Sequence, residues 1–289
     1  MIALVSAAAA RHLDEDLPPL VAALDDVGVA NRVEVWDDDV DWSNYELVVL
    51  RSAWDYAPRR AEFVRWAEDV SAVTTLANSL DVVRWSTDKH YLHVLQAAGV
   101  PVTPTVFVEP GERPWPAWPD GDVVVKPAIS AGSADTALHR RAHRDVAIAH
   151  VASLVDAGRA VMVQPYLHAI DEGGETALVF IEGRFSHAIR KGPILAHAVD
   201  VVGGLFAQED IRPRTPSQEE LAVADAALDA VPMGRDALLY GRVDLVPGPD
   251  GAPVVLELEL CEPSMYFDHA DGSAARFAGA IARRMTRRG

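Results

Sequence analysis

The chain has very little of several things. Cysteine occurs once in 289 residues, at Cys261. No disulfide can form within the chain, which fits a reducing compartment and excludes the small cross-linked secreted scaffolds. Positive charge is scarce: 26 lysines and arginines stand against 43 aspartates and glutamates, a formal charge of −17. A field of that sign opposes DNA, RNA or an anionic membrane as partner, while leaving room for local basic pockets. No apolar run reaches the length of a membrane span. The opening MIALVSAAAARHLDEDLPPL lacks a basic start and runs into Arg11 and a cluster of acids, so it reads as a buried strand rather than a signal peptide. There is no Walker loop, dinucleotide fingerprint, HExxH or GxSxG. These absences predict a soluble, cytoplasmic protein that binds neither nucleic acid nor membrane.

What is present is an ample core, since 49% of the residues are hydrophobic, enough for two or three modest units. The first third alternates strands and helices, as a mainly parallel α/β sheet does. IALVS (Ile2–Ser6), VEVW (Val33–Trp36) and LVVL (Leu47–Leu50) read as strands. Asp16 is placed to cap a helix with Pro18 in its first turn, Leu17, Leu20, Val21 and Leu24 on one face and Gly28 closing it. A second helix is expected over Arg59–Val70. Ser86 or Thr87 is placed to cap a third, ending near Gly99. A proline-rich surface turn follows, then the strand DVVVKP, the small-residue loop AISAGSADT, a helix over Arg144–Ala157 and the strand VMVQPY. The last part reads as two hairpins, turning at Glu182-Gly183 and at Pro247–Pro253, with a helix over Gln218–Ala230 between them and a basic helix over Gly272–Arg288.

The stretch VVLELELCEPS carries the most chemistry. Strict alternation argues for a strand with Leu256, Leu258 and Leu260 on one face and Glu257 and Glu259 on the other. RVDLV puts Arg242 and Asp244 on one face of the strand before it. Asp244, Glu257 and Glu259 then form a patch of hard oxygen donors of the kind that Mg²⁺ takes together with substrate phosphates. The same pattern also describes an antiparallel sheet with one wet face. Lys126 ends a buried-looking strand, either snorkelling to water or facing an anion. The loop Ser130–Thr136, with Ser130, Gly132 and Ser133, lets backbone amides approach phosphate oxygens, as ordinary turns also do. Lys89 stands at a helix start, where it is either a tolerated surface lysine or a phosphate ligand. In RSAWDY, Arg51 either clamps a substrate carboxylate or pairs with Asp55; Ser52 and Trp54 share that strand end, where α/β ligand sites gather. The ten histidines have no paired metal spacing, His139, His143 and His150 reading as solvated, and Cys261 reads as a buried inert thiol.

Taken in order, TDKHYLHVLQAAGVPV, VVVKPAISAGSADT, VMVQPYL, ETALVFIEGRFSHAIRK, GRVDLV and LELELCEPS resemble the ATP-grasp superfamily over roughly residues 86–265. The resemblance implies an α/β N-terminal domain (1–85) followed by an ATP-grasp fold of two α+β domains (86–165 and 166–289). It implies ATP held at its phosphates by Lys89 and Lys126 under the Ser130–Thr136 loop. Adenine would be read by Gln164, Pro165, Tyr166 and Leu167, with Asp171 and Glu175 as further contacts. Arg190 or Lys191 would meet the γ-phosphate beside Arg242. Asp244, Glu257 and Glu259 would hold Mg²⁺, two ions in the usual pattern. Two departures stand out: many members carry asparagine where Glu259 stands, and the hinge's usual acidic residue is Gln164.

VVLRSAWDY and LELELCEPS are most similar to a subgroup of small ATP-grasp proteins that includes the cyclase of cycloserine biosynthesis. That implies a C–N ligase of antibiotic biosynthesis acting on an amino-acid-like small molecule through an acylphosphate, ring closure of O-ureidoserine included. A homodimer is implied by the family. Arg51, Ser52, Trp54, Asp55 and Ser264 are the candidate substrate contacts. Whether Glu262 reaches the substrate is left open by the motif. Competing expectations are an ATP-grasp kinase, a nucleotide-binding protein without turnover, and a scaffold with a wet acidic sheet.

Overall fold

The computed structural model describes residues 1–192 and 210–286. The N-terminal unit runs β1 (Ile2–Ser6), α1 (Leu17–Asp26), β2 (Asn31–Val35), β3 (Leu47–Ser52), α2 (Arg60–Val73) and β4 (Thr75–Ala77). Its strands are all parallel, in the order β2-β1-β3-β4. Helices cover both faces, which is why β1 and β3 are apolar without alternation. Ile2, Leu4, Leu47 and Val49 face α1. Ala3, Val5, Val48 and Leu50 face Phe63, Ala67 and Val70 of α2.

Next come α3 (Leu80–Ser86) and α4 (Tyr91–Ala97). Ser86 and Thr87 therefore end a helix instead of starting one, and the Thr87 hydroxyl donates back to the Val83 carbonyl at 2.7 Å. Lys89 lies in the turn between the two helices. The central unit holds β5 (Val106–Val108), β6 (Val123–Pro127), β7 (Ala137–His139), α5 (Arg144–Asp156) and β8 (Val161–Pro165). Its sheet is antiparallel in the order β5-β8-β6-β7.

The third unit holds α6 (Ile170–Gly173), β9 (Glu175–Ile181), β10 (Arg184–Lys191), β11 (Ile211–Arg214), α7 (Gln218–Asp229), β12 (Tyr240–Pro247), β13 (Pro253–Glu259) and α8 (Ser273–Thr286). Its antiparallel sheet has the order β11-β10-β9-β12-β13. The β9–β10 turn has both central residues in the left-handed region, Glu182 at φ 49° and Gly183 at φ 70°, as a two-residue hairpin requires. A capping box joins Ser217 and Glu220 at the start of α7. The loop around Gly203–Arg214, in which the sequence offers no motif with chemical meaning, falls outside the described residues at positions 203–209 and forms β11 at Ile211–Arg214. Among the described residues no helix is long and apolar enough to cross a membrane.

The N-terminal unit and the third sheet are stitched together. Helix α8 packs Phe277, Ala278, Ala280 and Ile281 into the core formed by α1, β1 and β3, each large side chain contributing about 1.5–3 kcal/mol of burial. The side-chain amide of Asn78, fully buried, donates to the carbonyls of Tyr240 and Leu260, both at 2.8 Å, and its oxygen accepts the Leu239 amide at 2.6 Å. Asp16 does not cap α1. Its carboxylate instead accepts the backbone amides of Met265 (2.5 Å), Tyr266 (3.2 Å) and Phe267 (2.8 Å).

Candidate active site

A cavity of about 750 Å³ opens between the three units. One wall is the face of the third sheet that carries alternate residues of β9, β10, β12 and β13. Pairing of β12 with β13 sets Asp244 opposite Glu257 and Arg242 opposite Glu259. Pairing of β9 with β10 sets Glu175 opposite Lys191. Asp244, Glu257 and Glu259 each offer an oxygen within 4.8 Å of the other two. Leu258 and Leu260 turn the other way, into the core with Ala224, Ala227 and Leu228 of α7. The register shifts after Asp244 and leaves Leu256 unpaired, so Leu256, expected on the core face, is half-buried and outside the core that holds Leu258 and Leu260.

This is no wet face. The acids are met by cations that the sequence scatters over 150 residues. Lys191 reaches Asp244 at 2.7 Å and Glu175 at 2.8 Å. Arg242 grips Asp244 through two nitrogens, at 2.8 and 2.9 Å, and also pairs with Glu259. Lys89 reaches Glu257 at 2.9 Å and ties the small-residue loop down through the Ser130 carbonyl, at 2.8 Å. Lys126 is nine-tenths buried and held by no ion pair among the described residues; burial pulls its ammonium below the usual value, Glu257 opposing and Lys89 assisting. Four carboxylates thus face four cations, which reverses locally the field of a strongly acidic chain.

The titration of the acids follows. Burial pushes the Glu257 carboxyl up, but Lys89 and Lys126 outweigh it and bring it down to about 2. Asp244 is held well below its usual value by Arg242 and Lys191, against burial. Glu259 is pushed up to about 8, by burial first and then by Asp244 and Glu257, against Arg242. The donor set is all oxygen, close-packed and hard, and fits Mg²⁺. Asp244 and Glu257 stand on paired strands, and Glu259 continues the row.

The opposite wall comes from the central sheet: Lys126 at the end of β6, Gln164 and Pro165 at the end of β8, then Tyr166 and Leu167. Gln164 is fixed by its amide, which donates to the Thr105 hydroxyl at 2.8 Å. Ser130, Gly132 and Ser133 line the same wall, with Gly132 and Ser133 both in the left-handed region. Glu175, Lys191, Trp54 and Ser264 also reach the cavity.

Several expected residues do not line it. Period two allows only one of Arg190 and Lys191 to face the acids; it is Lys191. Arg190 points to the other side and donates to the carbonyls of Gly173 (2.7 Å) and Glu172 (3.0 Å). Asp171 accepts from the Tyr166 hydroxyl and braces the hinge from outside. Arg51 shares a face of β3 with Leu47 and Val49, so it is fully buried under Phe277. Neither expectation for it holds: it reaches Asp16 (3.4 Å) and the Pro263 carbonyl (3.2 Å), not a substrate pocket and not Asp55. Ser52 shares a hydrogen bond with Ser6 at 2.8 Å. Asp55 is taken by Arg59 at 2.9 Å and by the Trp36 indole at 2.8 Å. Asp244 belongs to the carboxylate group but lies beneath its two cations, 1% exposed.

Asp14, Tyr56 and Tyr266, which the sequence did not single out, complete the far end of the cavity together with Glu262, whose reach the motif had left open. Tyr266 adopts a left-handed conformation, φ 54°, and its ring lies under the Arg242 guanidinium at 5.4 Å. Nothing in the sequence marks a tyrosine for that conformation. Tyr56 ends the quoted RSAWDY and Glu262 lies within the quoted LELELCEPS, and membership of those motifs is the one signal for them.

Comparison with known proteins agrees with this geometry. Residues 2–78 match the family model described as the N-terminal domain of the D-cycloserine synthetase DcsG. The chain is 41% identical to the cycloserine biosynthesis protein DcsG of Streptomyces lavendulae over 295 aligned positions, 99% of both chains. It superposes on the crystal structure of the D-cycloserine synthetase DcsG with a TM-score of 0.89 over 98% of this chain and 99% of that one, at 41% identity. The D-alanine–D-alanine ligase of Bacillus anthracis complexed with ATP shares the fold, with a TM-score of 0.68 at 14% identity over 100% and 99% of the two chains. An N-terminal α/β unit followed by two sheet-rich units around a shared cavity is thus the ATP-grasp ligase architecture, and the chain belongs to the family of the cycloserine biosynthesis protein DcsG.

Proposed function

We propose that the protein is an ATP-dependent ligase that joins a carboxylate to a nitrogen of the same amino-acid-like molecule, closing a ring as in the conversion of O-ureidoserine to cycloserine. What supports this reading above all is the gathering of Lys89, Lys126, Lys191 and Arg242 against Asp244, Glu257 and Glu259 in one cavity, in a chain 41% identical to a protein of cycloserine biosynthesis.

Lys89 and Lys126 would hold the phosphates of ATP, under the backbone of the Ser130–Thr136 loop. Gln164, Pro165, Tyr166 and Leu167 would carry the adenine, and Glu175 the near side of the nucleotide. Asp244, Glu257 and Glu259 would hold Mg²⁺, two ions if the usual pattern applies; when bound, the metal neutralises charge on the phosphates and orients them. A substrate carboxylate oxygen attacks the γ-phosphorus, ADP leaves, and the acylphosphate is then attacked at carbon by the internal nitrogen, releasing phosphate; with O-ureidoserine the carbamoyl group on that nitrogen is also hydrolysed, leaving as CO2 and NH3. The protein's share is positioning and charge neutralisation by Lys126, Lys191 and Arg242, and exclusion of water from the acylphosphate. Arg190 and Asp171 act only by bracing the strand and hinge beside the site.

Phosphate release with Mg-ATP, screened over a panel of amino acids that includes O-ureidoserine and followed by mass analysis, tests the reading. ADP, free phosphate and a cyclic product are expected; for O-ureidoserine the product cycloserine is lighter than the substrate by CO2 and NH3, the carbamoyl group being lost. A phosphoester product would replace the ligase by a kinase, and no turnover with any carboxylate would leave a nucleotide-binding protein. Light scattering in solution tests the homodimer implied by the family resemblance.

A further inference from the structure

The mechanism uses every buried acid of the sheet wall and leaves one beside it unused. Glu262 follows β13 by three residues, is only 9% exposed and lines the cavity. Its backbone is pinned, since the Trp54 indole donates to its carbonyl at 2.9 Å. Its carboxylate differs from those of Glu175, Glu257 and Glu259 in having no ion pair among the described residues. The groups beside it that donate hydrogen bonds are the Tyr56 hydroxyl and the Cys261 thiol, and burial keeps both of these neutral. The nearest cation in effect is Lys89, which is already committed to Glu257 and Ser130. A carboxylate taken out of water without a cation is costly. Burial accordingly raises its pKa.

We infer that Glu262 is the residue that selects an ammonium-bearing substrate: its carboxylate receives the α-ammonium of the amino acid, with Trp54 and Tyr56 as the aromatic flanks. The inference rests on the ligase reading and deepens it. An α-amino acid holds its nitrogen two bonds from the carboxyl carbon. A carboxyl group set for reaction at the Lys89–Glu257 end of the cavity therefore carries its ammonium close by, and Glu262 lies within Coulombic reach of both Lys89 and Glu257. Aromatic rings suit a cation on their faces, and a site built around a buried polar group rejects the analogue that leaves it unpaired. Asp14, the other buried acid at this end, is not equivalent: its Oδ1 accepts the Asp16 amide at 3.0 Å and its Oδ2 is sealed off.

The test compares O-ureidoserine with the same molecule lacking its α-amino group, by phosphate release, in wild type and in Glu262→Gln. Binding of Mg-ADP serves as the check on folding. The expected result is a KM for O-ureidoserine raised about 30-fold or more, a KM for ATP within about twofold of wild type, and loss of the preference for the amino compound. A folded, active Glu262→Gln that keeps its substrate KM and its preference overturns the inference while leaving the ligase reading intact. A wild type that binds Mg-ADP yet turns over neither compound overturns the ligase reading and, with it, this one. If Glu262→Gln fails to bind Mg-ADP, Glu262→Asp carries the test, with the charge kept but withdrawn by one methylene. A KM raised for the amino compound alone supports the assignment, and an unchanged one refutes it.

Discussion

The two ends of the cavity handle charge in opposite ways. At the sheet end, Asp244, Glu257, Glu259 and Glu175 are each matched by Lys89, Lys191 or Arg242 at contact distance. At the turn end, Glu262 and Asp14 are nine-tenths buried with no ion pair among the described residues. The sheet end is matched within itself except at Lys126 and the raised Glu259, so a ligand arriving there mostly exchanges one set of partners for another and gains the difference. The unmatched end is held in a costly state by the packing around it, and a ligand of the right sign gains nearly the whole interaction. On the proposed reading, affinity for nucleotide and discrimination among acceptors live in different places.

The contrast can be broken most severely at the sheet end. Glu257→Ala removes an oxygen donor and leaves Lys89 without its buried partner, and turnover is expected to fall about 1,000-fold, with Mg-ATP binding lost in a calorimetric titration. Unchanged ATP binding would remove the sheet acids from the site. Next comes the support of the turn end. Asp16→Asn weakens the acceptor for three backbone amides and strips Arg51 of its ion pair, and denaturant unfolding should show a loss of about 3 kcal/mol. The KM for the amino-acid substrate should rise more than that for ATP, because the 265–267 turn moves while the hinge does not.

A subtler test uses pH on the ligand-free protein. Glu259 has its pKa raised from 4.5 to about 8, so the folded state binds the proton more tightly than the unfolded one. Its contribution to stability is present below about 4.5 and is lost as pH rises to about 8. Glu257, lowered to about 2, does the reverse, its contribution being lost as pH falls from about 4.5 toward 2. Glu259→Gln should therefore flatten the fall in stability between pH 5 and 8 without touching the acid limb. The smallest effect is expected at Arg190→Ala. It removes two hydrogen bonds to carbonyls outside the cavity and should change turnover less than about threefold; a large drop in kcat would return Arg190 to the phosphates.

The same contrast decides what was legible in the sequence. A β-strand alternates, so the faces of RVDLV and LELEL, and the meeting of Asp244 with Glu257 and Glu259, could be read before any coordinates. Lys126 ends an apolar strand, which left both water and an anion open to it, and Gln164 was marked by the family resemblance alone. What alternation could not supply was the parity of a strand relative to its neighbours. Arg190 and Lys191 are adjacent letters with opposite fates, and Arg51 faces α8 because Leu47 and Val49 do. Turns were worse. Asp16 has the look of a helix cap, yet its carboxylate binds amides about 250 positions away in the chain. Tyr266 sits in a conformation for which its residue type gives no warning. Ser217 and Glu220 have capping-box spacing and form that box at the start of α7.

Asn78 has a consequence for motion. One buried amide side chain holds the Leu239 and Tyr240 backbone and the Leu260 carbonyl, so the first unit and the third sheet behave as a single rigid block, with α8 as its clamp. The acceptor half of the cavity is then a mould cut into one packed block, while the Ser130 loop opposite is tied across the cavity through Lys89, and release of that tie would open it. Opening should admit the nucleotide while leaving the shape offered to the amino acid unaltered.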